Sequence, residues 1–299
     1  MTSPHTSPHT RPLRFGLVVF SPATRAEWVA KARHAESLGY DVLSVSDHLG
    51  MPAPVPTLAL VAEATERIRL GTLVLNTSFY QPTVLARDLA TVDHHAGGRV
   101  EIGLGAGYDK AQFDRAGLPW IPAKERVDHL ERTVRELREA LGSPQASPPA
   151  AQPGGPPILI AGRGPRVLRL AAEHADIVGF TGTAPVRDGD GLRLGGPEEI
   201  TRRIAEVHAL LGDRAKDVEL NIPVHRVLPS AAGGAVTDVW QNELDLDADA
   251  LAELPSLLIG SPKECADQLV ERRRRYGLSY FSVLEPEMEA FAKVIEELR

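Results

Sequence analysis

The sequence predicts an α/β fold in which a single domain forms a (β/α)8 TIM barrel. Strand-like segments alternate with helix-like segments along most of the chain, which is the pattern of parallel βαβ units. The strand-like segments are apolar at consecutive positions, as expected for a parallel sheet that is buried on both faces. Eight such units in about 280 residues match the size of a TIM barrel. An open, doubly wound sheet is the alternative arrangement of the same units.

Eight short apolar segments are predicted to be strands. In chain order they are Arg14–Phe20, Asp41–Ser46, Ile68–Leu75, Arg99–Gly105, Ile158–Gly162, Asp176–Phe180, Val218–Leu228 and Tyr280–Leu284. Each is separated from the next by a segment with helical periodicity, so consecutive strands are expected to run in the same direction.

The helices are recognised by their caps and by apolar residues three or four positions apart. Thr24 and Glu27 form a capping-box pattern, and Ser261 and Glu264 repeat it late in the chain. The clearest periodicity runs from Val127 to Leu141, where leucine and valine recur on one helical face. Helix starts are predicted near Thr24, Thr57, Pro82, Val127, Pro165, Pro197, Ser261 and Pro286.

Two segments fall outside this regular alternation. Residues 1–12 are polar and repeat a Thr-Ser-Pro-His unit; such a stretch buries too little apolar surface to become ordered, so we predict a disordered tail. Residues 13–299 then form one barrel domain. Residues 229–260 lack clear periodicity and are interpreted as an insertion before the last helix–strand unit, placed to roof the pocket.

Composition and charge exclude several classes of protein. The 33 basic and 40 acidic residues give a net charge of −7, which argues against a nucleic-acid partner because phosphate binding needs a basic face. The single cysteine, Cys265, excludes an internal disulfide and a site with several cysteine ligands, and is compatible with the cytoplasm. No apolar run approaches the roughly 20 residues of a membrane span.

The carboxyl ends of the strands are where a TIM barrel places its active site. Asp47 and His48 end the second predicted strand. An imidazole at this position can donate or accept a proton near neutral pH, so His48 is a candidate catalytic residue. A capping aspartate beside a structural histidine is the alternative interpretation of this pair.

Glycine-rich segments end the fourth and fifth predicted strands. Gly103–Gly107 lacks the spacing of a dinucleotide fingerprint. Small residues there allow a flat ring to approach the backbone, or else they relieve crowding at the barrel rim. Ala161–Gly164 precedes a helix that begins at Pro165, so free N–H groups and the helix dipole suit a phosphate. Arg163 and Arg166 are candidates for charged hydrogen bonds to it, whereas an ordinary βα turn is the alternative.

Other polar clusters are interpreted as structural. His94 and His95 have no further metal ligands at suitable spacing, so they are expected on the surface. The four arginines Arg272–Arg275 are interpreted as a solvated helix face, from which one member could reach a partner subunit. Trp28 lies on an apolar helical face and is expected in the core.

Taken together, the strand ends resemble the luciferase-like family of flavin and deazaflavin oxidoreductases, in particular its F420-dependent branch. The resemblance covers nearly the whole chain from Arg14 to about Leu284. The segments that carry it are Ser46–Leu49, Arg69–Gly107, Ile158–Phe180 and Leu258–Leu269, in this order and spacing.

The resemblance implies a role for each strand end. Asp47 and His48 match the pair that borders the cofactor ring, where the histidine handles a proton or hydrogen-bonds the ring. A non-prolyl cis peptide that supports the bent ring from behind falls at Leu73-Val74 by alignment, and Asn76 matches a ring-contacting position. The cofactor-binding residues implied by the resemblance are Asp47, Leu73, Val74, Asn76, Gly105, Ala106, Gly107, Tyr108, Ala161, Gly162, Arg163 and Gly164.

The resemblance also implies the reaction. A coenzyme F420-dependent oxidoreductase would transfer a hydride between C5 of the deazaflavin and a small organic substrate, with reduction of a C=C or C=N bond favoured and alcohol oxidation possible. Tyr108 replaces the acidic residue of the family's sugar-phosphate dehydrogenases, which argues against a substrate of the glucose-6-phosphate type. By analogy with relatives, we expect a homodimer.

Three other functions remain open at this stage. An FMN-dependent luciferase-like monooxygenase is the alternative within the same family. A metal-dependent barrel hydrolase that uses Asp47, His48 and His225 is a remote alternative, and no metal site is expected because a convincing set of carboxylates is lacking. A protein that binds the cofactor without turnover is the third.

Overall fold

The computed structural model describes residues 10–143, 148–185, 192–228, 251 and 253–299. Most of the predicted tail, residues 1–9, and most of the predicted insertion, residues 229–250 and 252, lie outside the described residues. The division into a tail and one barrel domain therefore stays a prediction.

The strands and helices alternate as the sequence predicts. The strands are β1 (Arg14–Val19), β2 (Val42–Val45), β3 (Arg69–Thr72), β4 (Leu75–Asn76), β5 (Val100–Gly105), β6 (Ile158–Gly162), β7 (Ile177–Phe180), β8 (Thr183–Pro185), β9 (Leu192–Leu194), β10 (Glu219–Val224), β11 (Arg226–Leu228), β12 (Leu257–Ile259) and β13 (Leu278–Leu284). The helices are α1 (Arg25–Ser37), α2 (Pro54–Ala64), α3 (Pro82–His95), α4 (Lys110–Ala116), α5 (Ala123–Gly142), α6 (Pro165–His174), α7 (Pro197–Leu211), α8 (Pro262–Tyr276) and α9 (Met288–Glu296). In the described ranges, none of the helices has the length and apolar character needed to traverse a membrane.

The parallel strands close into a ring. β1 pairs with β2 and β13, and the ring continues through β10, β7, β6 and β5. β3 and β4 are two parts of one barrel strand, because both pair with β5 while β3 also pairs with β2. Counting them together gives eight strand positions among the described residues. The predicted TIM barrel is confirmed.

Apolar burial explains why these segments form a barrel. All six residues of β5 are buried, since the strand faces both the barrel interior and the outer helices. The periodic face of α5 buries Leu130, Val134 and Leu137 against the barrel. Both predicted capping boxes form, at Thr24 and at Ser261, and each ends a loop that leads into an outer helix.

Paired charges fill the amino-terminal end of the barrel. Arg14, the first residue of β1, forms ion pairs with Glu101 and Glu219, whose side chains are almost fully buried. Arg69 adds a second cation beside Glu101. Because buried carboxylates need paired cations, this end is closed by a salt-bridge network.

The prediction of a single seventh strand over Val218–Leu228 is wrong, because the structure divides this segment into two strands. β10 ends at Val224, and β11 leaves the barrel to pair in parallel with β12. The break occurs at His225, whose N–H donates to the carbonyl of Ser256 at 2.8 Å instead of to a barrel strand. The last residues of the predicted insertion therefore pair with the segment that follows β10. The short helix α4 and the antiparallel pair of β8 and β9 are further elements that the sequence did not predict.

The interpretation of Arg272–Arg275 as a solvated face is wrong for Arg272. Its side chain is only 5% exposed, and it donates to the carbonyl oxygens of Leu254 at 3.0 Å and Pro255 at 3.2 Å, and to that of Leu257. Burial lowers the pKa of Arg272 to about 10, so the guanidinium keeps its charge at neutral pH. Arg272 holds the end of the predicted insertion against α8.

Replacing Arg272 with leucine should destabilise the protein by about 3 kcal/mol, because buried carbonyl groups lose their donor. Chemical denaturation followed by circular dichroism measures this loss. Lys263→Ala is the matched control on α8, since Lys263 forms an exposed pair with Asp267 and its removal should leave the unfolding midpoint near wild type. Equal effects of the two substitutions would show that Arg272 does not anchor this segment.

Candidate active site

A cavity of about 510 Å³ opens at the carboxyl end of the barrel. Residues from the ends of β2, β4, β5, β6, β7 and β10 line it. All of the residues predicted for the site except Arg166 are among them: Asp47, His48, Leu73, Val74, Asn76, Gly105, Ala106, Gly107, Tyr108, Ala161, Gly162, Arg163 and Gly164. His48 and the turn at Gly162–Gly164 are far apart in sequence, and the barrel brings them to one cavity.

Asp47 links the end of β2 to β4. Its Oδ2 accepts a hydrogen bond from the N–H of Asn76 at 2.9 Å, and its carboxylate is also bonded to the Tyr80 side chain. Burial raises the pKa of Asp47 above its usual range, while these bonds and the nearby His48 oppose the rise. The Asp47 carboxylate therefore has a structural role, as in the alternative interpretation of a capping aspartate.

His48 faces the cavity beside Asp47. Its ring nitrogens make no hydrogen bond with any residue of the described ranges, and its ring meets the edge of Tyr108 with centroids 6.0 Å apart. An imidazole that is held by its backbone and by one aromatic contact keeps both nitrogens for a ligand.

The floor of the cavity is formed by the break between β3 and β4. The peptide bond between Leu73 and Val74 is cis, as the alignment predicted, and both residues line the cavity. On the neighbouring strand, a Cβ at Gly103 would lie 1.9 Å from the carbonyl oxygen of Thr72. At Gly105 it would lie 2.7 Å from Cγ2 of Val74. Close packing against the interrupted strand is thus what requires these glycines.

Gly107 supports a second close approach. Its φ is +73°, and a Cβ there would lie 2.5 Å from Oδ1 of Asn76. That oxygen accepts the N–H of Ser78 at 3.2 Å, and it is part of the turn that follows β4. Gly107 therefore allows the loops after β4 and β5 to meet beside the cavity.

The turn after β6 has the features of an anion site. Gly164 is the N-cap of α6 and supplies no side-chain cap, so N–H groups of the first turn remain available. Arg163 lines the cavity and forms no hydrogen bond or ion pair with another described residue. The prediction that Arg166 also serves this turn is wrong. Arg166 does not line the cavity, and its guanidinium is bound to Asp128 and to the Lys124 carbonyl on α5.

Several cavity residues were missed by the sequence interpretation. Asn221 is 1% exposed, and its Nδ2 donates to the carbonyl of Tyr280 at 3.2 Å. Because a carbonyl only accepts, this bond fixes the amide orientation and leaves Oδ1 without a partner among the described residues. A polar residue inside an apolar strand was the available signal. Gln112 and Arg126 line the cavity from helices, where no such signal exists.

The ligand set of a hydrolase is not assembled in the described part of the chain. Asp47, His48 and His225 all line the cavity, yet no group of three or more potential metal ligands forms there. The Nε2 of His225 lies 3.2 Å from the carbonyl oxygen of Thr181, and burial lowers the pKa of this histidine. His225 is therefore a neutral donor to a backbone oxygen.

Comparison with known proteins identifies the family. A model of the luciferase-like monooxygenase family matches residues 5–193, which is more than half of the chain. The chain belongs to this family of enzymes. It is 29% identical over 181 residues to a 5,10-methylenetetrahydromethanopterin reductase of Archaeoglobus fulgidus, covering 58% of this chain and 54% of the relative. It is 31% identical over 229 residues to an F420-dependent glucose-6-phosphate dehydrogenase of Nakamurella multipartita, covering 67% and 66%. The chain thus spans between half and two thirds of these relatives.

Solved structures of this luciferase-like fold superpose on nearly the whole chain. The coenzyme F420-dependent tetrahydromethanopterin reductase of Methanopyrus kandleri gives a TM-score of 0.72 at 19% identity, covering 96% of this chain and 98% of that one. The EDTA monooxygenase of Chelativorans gives 0.73 at 14% identity, covering 96% and 94%. At these identities the likeness establishes the fold.

Substituting alanine at Gly107 should displace Asn76 and destabilise the cavity wall. Gly117→Ala is the matched control, because Gly117 has a similar φ of +67° with no atom near its missing Cβ. We expect Gly117→Ala to cost about 1 kcal/mol for the left-handed backbone alone, and Gly107→Ala to cost clearly more. Urea denaturation of both variants measures the difference, and equal losses would contradict the contact with Asn76.

Proposed function

We propose that the chain is a coenzyme F420-dependent oxidoreductase that transfers a hydride between the deazaflavin and a small organic substrate. The observation that carries this proposal is that His48, the Leu73-Val74 floor and the Gly162–Gly164 turn line one cavity. The sequence relatives named as F420-dependent favour the deazaflavin over FMN. A homodimer and a small-molecule substrate belong to the same proposal.

The residues present fit such a cofactor. The cavity volume of about 510 Å³ is within the range of small-molecule sites. The start of α6, which has no side-chain cap, and Arg163, which has no partner in the described part of the chain, suit a phosphate. The floor at Leu73 and Val74 is apolar, and His48 and Tyr108 stand beside it. The ring would lie on this floor, with its phosphate at the turn after β6.

When bound, the deazaflavin supplies a hydride donor or acceptor at C5. His48 would handle the accompanying proton, since an imidazole exchanges protons near neutral pH. In the reduction of a C=C bond, His48 would give its proton to one of the two carbons, and the cofactor would supply the hydride equivalent for the other. Asp47 would keep the end of β2 against β4, so that the imidazole stays above the cavity floor.

The cavity mouth argues against a sugar-phosphate substrate. Tyr108, which is 54% exposed, stands where the family's sugar-phosphate dehydrogenases have an acidic residue. The neighbouring Asp109 does not replace it, because its Oδ1 caps α4 by accepting the N–H of Ala111 at 2.9 Å. In line with the family resemblance, we propose instead a substrate with a reducible C=C or C=N bond.

Titration with F420, followed by its fluorescence, should show saturable binding, whereas FMN should bind more weakly. Arg163→Met should weaken F420 binding about tenfold, as expected for the loss of one charge-assisted bond to phosphate. It should not change binding of the phosphate-free deazaflavin chromophore. Arg166→Met is the matched control, since Arg166 is paired with Asp128. Tighter binding of FMN, together with NADH-driven oxygen uptake, would instead establish a monooxygenase.

His48→Ala should retain F420 affinity and lose turnover by about 10²- to 10⁴-fold, the usual contribution of a general acid or base. Oxidation of reduced F420 by 2-cyclohexenone, a C=C probe, measures the rate. His94→Ala is the control, because His94 is exposed at the end of α3 and away from the cavity. An unchanged rate in His48→Ala would remove this residue from the reaction. Binding without turnover in the wild type would favour a carrier.

A further inference from the structure

Helix α4 lies directly behind the loop that carries His48. It follows the cavity-lining segment that ends in Tyr108 and Asp109. Its inner face is fixed by Phe113, which is 1% exposed and packs against Phe79 and Trp120 with ring centroids 5.7 and 4.9 Å away. Phe113 therefore anchors the helix to the barrel rim.

Two side chains on the face of α4 that points to the loop after β2 form hydrogen bonds with the N–H and the carbonyl of Leu49. Gln112 Oε1 accepts the N–H of Leu49 at 2.6 Å, and Arg115 Nη1 donates to the carbonyl of Leu49 at 2.9 Å. Residues three positions apart share a helical face, so both side chains reach the same peptide segment. Leu49 is the residue immediately after His48.

Apart from the bonds of the preceding Asp47 to Asn76 and Tyr80, little else in the described structure orients the His48 ring. The carbonyl of His48 accepts the N–H of Met51 at 2.9 Å, which closes a local turn. The ring itself makes an edge contact with Tyr108 but no hydrogen bond with a described residue. The direction of the side chain therefore depends on the backbone at His48 and Leu49, and α4 holds that backbone.

We propose that Gln112 and Arg115 are positioning residues, which fix the His48 imidazole over the cavity by holding Leu49. The inference rests on the proposed function for the role of His48 in proton transfer. The bonds themselves are independent of any cofactor. Arg115 does not line the cavity, so its substitution tests positioning without changing a cavity wall. Its exposure means that the substitution also leaves the core intact.

The test uses the full chain without cofactor and two pairs of variants. Gln112→Leu and Arg115→Ala remove the acceptor and the donor, whereas Gln112→Glu and Arg115→Lys retain them. Lys110→Ala is the control on the same helix, because Lys110 pairs with the exposed Asp114. Hydrogen–deuterium exchange of the peptide covering residues 47–53 reports whether the hydrogen bonds to Leu49 are intact. The imidazole NMR resonances of His48, assigned by their loss in His48→Ala, report its position.

We expect the two removal variants to speed exchange in this peptide about five- to tenfold, the effect of one lost hydrogen bond. They should also shift or broaden the His48 resonances. The two conservative variants and Lys110→Ala should resemble wild type in both measurements. Faster exchange with unmoved His48 resonances would overturn the proposal, since the contacts would then be structural only. So would conservative variants that behave like the removals. Failure of F420 to bind would refute the proposed function and leave this result standing.

Discussion

The barrel closes around an interrupted strand, and the rest of the structure depends on how that interruption is accommodated. β5 has to pair with both β3 and β4 on either side of the Leu73-Val74 peptide. The approach is possible because Gly103 has no side chain to meet the Thr72 carbonyl. The Thr72 hydroxyl accepts the N–H of Gly103 at 2.9 Å and donates to its carbonyl at 2.8 Å. These bonds replace pairing that a regular strand would supply, and they leave the floor of the cavity in place.

The two ends of the barrel differ in how their polar groups are paired. At the amino end, Arg14 and its two carboxylate partners occupy the interior with paired charges. At the carboxyl end, the His48 ring, the Arg163 guanidinium and the first N–H groups of α6 have no side-chain hydrogen-bond partner among the described residues. A folded chain rarely leaves a buried polar atom without a partner, and at this end Oδ1 of the buried Asn221 has none among the described residues. The contrast between the ends supports the carboxyl end as the working site.

The loops after β2, β4 and β5 form one connected layer over the cavity. Asp47 binds the backbone of Asn76, Asn76 packs against Gly107, and α4 binds Leu49. The loop that holds His48 therefore contacts both neighbouring loops. Such connections keep a reacting group in a defined position, which is worth more to catalysis than the individual bonds are to stability.

The sequence by itself determined the eight-unit barrel and, through the family resemblance, the position of the cis peptide and thirteen of the residues that line the cavity. It could do so because apolar runs, caps and strand ends are local patterns, and barrel topology brings strand ends together. Only the tertiary structure decided that Arg272 is buried, that Arg166 turns to α5, and that the strand ending at Val224 gives way to an outer pair. It also showed that side chains of α4 form hydrogen bonds with the backbone of Leu49. Each of these depends on which backbone and side-chain groups from distant parts of the chain come within hydrogen-bonding distance. The local sequence pattern does not contain that information.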